Sequence, residues 1–325
     1  MGYPILDGVA TKLANLTHER LIEAEFDEPL SKKLRISDCA LVVPPIEKLP
    51  SPGSIRLLPL ERISLPSLER FQELLLAGRP FILTGGMTHW PACRSGGEHA
   101  WTLEYWQRKV GYRLVPIEIG SRYTDESWGQ ELMTINRFIE RFILSSSLNS
   151  ESNRPIGYLA QHQLFLQIPE LADDVHTPDY CMINGKPLCE ESCVDSNVWF
   201  GPANTVSPLH HDSERANLLA QVSGQKYVIL FTASETPYLY AHSETMLCNT
   251  SQVDVEHPDL EAFPLLTNAQ GFHGILSPGE MLFIPPRCWH YVRSLSLSFS
   301  VNFWWDVADA FIPSWSLAQS AFHGV

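Results

Sequence analysis

The sequence predicts a mainly β chain with flanking helices, its core a double-stranded β-helix, or jelly roll, of cupin type. Two observations carry this expectation. From about Val198 onward, short apolar runs are separated by turn residues roughly every 8–12 positions, the spacing of a sandwich or barrel. Before that point, helix-period segments alternate with isolated strand-like runs, as in a mixed layer packed on a barrel.

The elements follow in order. Val9, Leu13, Leu16, Leu21 and Ala24 recur at helical spacing over residues 8–27. Pro44, Pro45, Pro50, Ser51, Pro52 and Gly53 read as a linker. A helix is predicted over Ser64–Ala77, entered through Pro66 and closed by Gly78. Phe81–Thr84 has the continuous apolar character of a buried strand, and a short helix is expected around Thr102–Lys109. Arg113–Ile119 alternates, with Val115, Ile117 and Ile119 on one face and Leu114 and Glu118 on the other. Residues 134–146 form an amphipathic pattern with Ile135, Phe138, Ile139, Phe142 and Ile143 inward, and Gly157–Gln161 reads as a short strand. The β-rich part contains Leu218–Val222, a turn at Gly224, Lys226–Phe231, a turn at Ser277–Glu280, Met281–Ile284 and Leu297–Trp304. The chain thus divides into a helical segment and linker (1–55), a mixed α/β region packing on the barrel (56–197), the jelly-roll core (198–306) and a C-terminal segment (307–325). Trp315 and Phe322 equip that last stretch to pack on the barrel or to form a homodimer contact.

Composition narrows the function. The chain has 325 residues, 44% hydrophobic and 18% charged, with a formal charge of −14. A field of that sign does not displace counterions from nucleic acid, so direct nucleic-acid binding is not expected. It suits a basic protein or peptide partner. Seven scattered cysteines, odd in number and without a C-x-x-C pair, argue against a disulfide scaffold or zinc ribbon. Neither a secretory signal nor a run of ~18 apolar residues is visible, so neither secretion nor a membrane span is expected.

His210 and Asp212 carry the chemistry. On a strand, residues i and i+2 point the same way, so this pair can hold one ion while His211 faces elsewhere. His290 follows the Pro285-Pro286 bend where a strand resumes, and is the candidate third ligand. Two imidazoles and one carboxylate leave coordination positions open and suit non-haem iron; zinc or manganese would accept the same donors. Lys226, on the strand after the metal-binding one, is placed to meet an anion inside a partly dry barrel, where a dicarboxylate needs a cation.

Further segments carry a resemblance. They are Gly78–Leu83, Gly120–Glu126, Tyr158–Phe165, Trp199–Pro202, Asn249–Val255, Leu276–Glu280, and Phe299–Val301 followed by Phe303-Trp304-Trp305. Over residues 60–306 these resemble the JmjC-domain oxygenases, and within them the branch that carries a lysine-specific demethylase, also described as an arginyl hydroxylase. The resemblance implies Fe(II) held by His210, Asp212 and His290, with 2-oxoglutarate and O₂ as co-substrates. It implies co-substrate contacts from Tyr158, Ser207, Asn217 and Lys226, and Asn302 lies on the polar face of its strand beside the same cavity. Between Asp212 and Asn217 this chain is one residue longer than the relatives, which a small bulge would absorb. Glu118, Tyr123 and Trp199 are expected round a cationic substrate side chain, arginine or methyl-lysine. Hydroxylation at a side-chain carbon leaves a stable alcohol; at an N-methyl carbon the product collapses to formaldehyde. A non-catalytic binding module is the alternative from another class. The expected compartment is nucleus, cytoplasm or both.

Overall fold

In a computed structural model, the described residues are 55–120, 122–125, 127–144, 155–185, 193–212, 214–243 and 246–314. The helix expected over 8–27, most of the linker and the stretch 315–325 lie outside them. The strands are β1 (Arg56–Pro59), β2 (Arg62–Ser64), β3 (Phe81–Thr84), β4 (Leu114–Ile119), β5 (Gly129–Thr134), β6 (Gly157–His162), β7 (Val194–Gly201), β8 (Val206–His211), β9 (Arg215–Ser223), β10 (Lys226–Phe231), β11 (Gln270–Leu276), β12 (Met281–Ile284), β13 (Trp289–Ser294) and β14 (Ser298–Asp306). Among the described residues four α-helices join them: α1 (Leu68–Leu76), α2 (Leu103–Val110), α3 (Ile135–Phe138) and α4 (Leu164–Gln167).

Two facing sheets result, as the jelly-roll expectation requires. The smaller has the order β1-β11-β10-β13-β8 and the larger β2-β3-β12-β9-β14-β7-β6-β4-β5. Period-two alternation decides what fills each layer. On β14, Phe299, Val301, Phe303 and Trp305 enter a large core shared with the helices, as do Ala216, Leu218, Ala220 and Val222 of β9. The opposite faces of these strands look toward the smaller sheet. There Leu219, Leu282, Ile284, Val228, Leu230 and Val292 form an apolar plug. Asn217, Asn302, Lys226 and His290 are buried polar groups of the same strands. A third cluster, with Tyr227, Ile229, Phe231, Trp289 and Tyr291, covers the outer face of the smaller sheet beneath Leu239, Val253, Val255 and Leu266.

Two helices differ from the sequence expectation. Ser64 ends a strand parallel to β3, Leu65 turns at φ 38°, and Ser67 accepts the Arg70 amide as the true N-cap, so α1 begins at Leu68. The helix expected over 134–146 is α-helical only to Phe138 and then π-helical over Ile139–Leu144. The wider turn lets Ile139, Phe142, Ile143 and Leu144 all reach the core.

Asp174 pins the helical layer. Its fully buried carboxylate accepts from Tyr105 Oη at 2.6 Å and Trp101 Nε1 at 3.0 Å, and meets His99 Nδ1 at 2.6 Å. Replacing it by Ala strands two buried donors. Asp174→Ala is expected to lose about 3 kcal/mol or more of stability, read from urea unfolding.

Candidate metal centre and adjoining cleft

Strand pairing brings the three candidate ligands together. His290 pairs with His210 across β13 and β8, and the rings lie 4.2 Å apart between centroids. Asp212 follows the end of β8, with its Oδ2 3.8 Å from His290 Nε2. One ligand atom from each residue falls within 4.8 Å of the others, the only such grouping of three His, Cys, Asp or Glu among the described residues. His211 turns the other way and packs edge-on to Trp289, as the i, i+2 rule requires.

The surroundings orient these atoms. His210 Nδ1 lies 2.7 Å from the Pro208 carbonyl and His290 Nδ1 lies 3.0 Å from the Cys288 carbonyl. A carbonyl only accepts, so each Nδ1 carries a proton and Nε2 is the ring atom left to face a metal. Burial, then the neighbouring His290, lowers the His210 pKa to about 4, so its ring is neutral. Burial opposes ionisation of Asp212, yet His290, His210 and the N–H groups of Trp304 and Asn217 hold its carboxyl below the usual range. Both those N–H groups donate to Oδ2 at 3.0 Å. Two imidazoles that present Nε2 and one ionised carboxylate are a donor set that fits a divalent iron.

A buried cation lies in the same inter-sheet space. Lys226 is 2% exposed, and among the described residues no carboxylate pairs with it. Its Nζ donates to Tyr158 Oη at 3.2 Å and lies 5.7 Å from the Tyr158 ring and 6.0 Å from the Trp199 ring. Burial lowers its pKa to about 7. Trp199 Nε1 donates to Asn302 Oδ1 at 2.7 Å, Asn302 Nδ2 to Asn217 Oδ1 at 3.4 Å, and Asn217 closes the chain on Asp212. Ser207 reaches this space through a bulge: Val292 pairs with Ser207 although His290 pairs with His210. The extra residue on β8 turns both Ser207 and His210 inward.

A cleft opens beside Tyr158, lined by Glu118, Arg122, Tyr123, Trp128, Thr205 and Val206 among others. Glu118 pairs in register with Tyr158 and accepts weakly from Trp128 Nε1 at 3.4 Å. Burial pushes its pKa up to about 7. The segment carrying Arg122 and Tyr123 is strapped down: Arg122 meets Asp254 at 2.7 Å, and Tyr123 Oη meets Thr250 Oγ1 at 3.1 Å. The Tyr123 ring stands edge-on to His210, 6.3 Å away. The cleft therefore abuts the metal centre.

Comparison with known proteins agrees with this fold. The cupin-like domain family matches residues 66–311. The zebrafish (Danio rerio) lysine-specific demethylase 8 is 43% identical over 94% of this chain and 72% of its own length. The frog (Xenopus tropicalis) protein of that name is 48% identical over 76% of this chain and 53% of its own length. Lysine-specific demethylase JMJ30 of Arabidopsis thaliana is 47% identical over 76% of this chain and 54% of its own length. The chain belongs to the JmjC family of cupin-like proteins. It spans little more than half the length of the frog and plant relatives.

As a JmjC protein it falls in the class of 2-oxoglutarate-dependent dioxygenases, and the family implies Fe(II) and 2-oxoglutarate. His210, Asp212 and His290 would hold the iron, and Lys226 with Tyr158 would receive the distal carboxylate. Of the other residues singled out from sequence, Glu118 and Tyr123 share the cleft. Trp199 stands deeper, beside Lys226 and Asn302, and Asn217 is engaged with Asp212. Sequence reasoning missed three groups. Trp304 holds Asp212, and its place in the alternation Ser298, Ser300, Asn302 was the available signal. Trp128 bonds Glu118 from a loop and Thr205 lines the cleft from another; neither has a local pattern.

Asp212→Ala or His290→Ala is expected to abolish Mn(II) binding in calorimetry. Trp304→Phe, which removes one donor to Asp212, is expected to weaken Mn(II) about 10–100-fold without unfolding the chain. Lys226 binds its proton below about pH 7, and a dicarboxylate needs the charged form. The KM for 2-oxoglutarate is therefore expected to rise as pH climbs from 7 to 9, and Lys226→Met is expected to raise KM and flatten that rise.

Proposed function

We propose that this chain is an Fe(II)- and 2-oxoglutarate-dependent protein hydroxylase acting on an arginine side chain. The observation that carries the reading is Glu118. It is a half-buried carboxylate with Tyr123 and Trp128 lining the same cleft, next to the metal centre. No cation of the described residues forms an ion pair with it. A guanidinium answers both features: its planar fork pairs with a carboxylate at two points, and its face stacks on aromatic rings.

When bound, iron with 2-oxoglutarate and dioxygen supplies the oxidising power for an unactivated C–H bond. The chain's residues then have separable tasks. Lys226 and Tyr158 anchor and orient the keto acid from its far end. The Asn217 and Trp304 N–H groups fix the Asp212 carboxylate. Glu118 positions the cationic side chain, and the strap formed by Arg122 with Asp254 and Tyr123 with Thr250 shields the centre from water.

A second reading uses the same site on methyl-lysine. The names of the zebrafish, frog and Arabidopsis relatives, all lysine-specific demethylases, favour it. Oxidation of an N-methyl carbon would then release formaldehyde. Geometry leans the other way, because methylation removes N–H donors that a half-buried carboxylate needs.

Paired peptides decide between them. A gain of one oxygen on the arginine peptide is expected; oxidation of the methyl-lysine peptide alone, with formaldehyde, reverses the assignment. If neither peptide raises 2-oxoglutarate decarboxylation, the hydroxylase reading fails and a binding module takes its place. The two pH trends should oppose each other. Glu118 ionises as pH rises through about 7, so the KM for the cationic peptide is expected to fall over the range in which that for 2-oxoglutarate rises. Glu118→Gln is expected to remove only the first trend.

A further inference from the structure

The sheet edges of this molecule are not treated alike. An exposed strand edge templates further pairing, and proteins blunt it with Pro, Lys, shortness or cover. β2 ends the larger sheet at one side and has three residues. β1, with four residues, ends on Pro59, and β8 contains Pro208 and is capped by a bridge from His210 to Thr250. β5 is the exception. It ends the larger sheet with six residues, Gly-Gln-Glu-Leu-Met-Thr, and carries neither Pro nor Lys. Its charged residue, Glu131, is tied to Arg141 at 2.7 Å. Among the described residues the backbone of β5 bonds to β4 and to nothing else.

The open edge leads to the cleft. Gly129 follows Trp128, which bonds Glu118, and Gln130 pairs directly with Glu118. Leu132 pairs with Pro116, two residues along the same face, and is 44% exposed. Backbone groups at the edge, an apolar spot and a half-buried carboxylate thus lie side by side on the hairpin.

We propose that β5 docks the substrate protein by strand addition: an extended segment flanking the reacting residue pairs with Gly129–Thr134 while the cationic side chain enters the cleft. The inference rests on the protein-hydroxylase reading and deepens it. A peptide is the occupant because the edge is continuous with the cleft, and because Glu118 calls for a cation that a second copy's β5, with its own Glu131, does not offer. Main-chain pairing gives affinity with little demand on sequence, and specificity then falls on alternate side chains and on Glu118.

The test uses the full chain with Mn(II) and 2-oxoglutarate. The probes are fluorescent Lys/Thr peptides with one central Arg, and a series in which each flanking amide in turn is N-methylated. Strand addition predicts a period-two pattern: alternate N-methyl groups weaken binding about tenfold and those between have little effect. Leu132→Pro should weaken binding similarly and Leu132→Ala far less, with uncoupled 2-oxoglutarate decarboxylation and Mn(II) affinity unchanged. A flat N-methyl profile, no peptide binding, or a concentration-dependent dimer broken by Leu132→Pro would overturn the proposal. The N-methyl series needs no mutant, so misfolding of Leu132→Pro leaves the answer intact. Peptides oxidised with a flat profile remove the docking edge and spare the hydroxylase. A period-two profile without oxidation of any peptide does the reverse.

Discussion

The register of β8 on β13 is the constraint on which the rest of the structure depends. It sets His210 opposite His290, and one extra residue on β8 then returns Ser207 to the same inner face. A slip of one residue would send His210 to the outer, apolar side where His211 and Leu209 now lie, and would leave Asp212 alone. The Pro208 and Cys288 carbonyls, supplied by the same two strands, fix both imidazoles. Pairing, burial and tautomer therefore follow from one alignment of backbone.

The space between the sheets is divided by polarity. Leucine, isoleucine and valine side chains close one part, so the polar groups there meet little competing water. In that setting Lys226 carries an uncompensated desolvation cost, visible in its lowered pKa, and Glu118 carries the mirror cost in its raised one. Each gains by meeting a charge of opposite sign. Burial thus disfavours the charged form of Lys226 deep in the fold and of Glu118 in the cleft.

Much of this was legible beforehand. The strands Phe81–Thr84, Lys226–Phe231 and Met281–Ile284 coincide with their apolar runs because each is buried along its length, with Thr84 alone half-buried. The polar face of β14, with Ser298, Ser300 and Asn302, was visible as alternation. α1 was misjudged at its start because Ser64 and Ser67 are both good caps, and pairing of β2 with β3 chose between them. The π-helical turn after Phe138 had no local signal, since helical spacing alone places the same residues inward.

By itself the sequence determined the donor types, the places along the chain of the main buried strands and their inward faces, because these depend on side-chain chemistry and on a period of two. It did not determine which strands became neighbours or which strand ends a sheet among the described residues. Trp304 on Asp212 is a contact between distant segments, Trp128 meets Glu118 across a hairpin, and among the described residues β5 has a strand on one side only. Only tertiary structure decides such contacts, because strand order and register are set by how two sheets share buried area and hydrogen bonds across the whole chain.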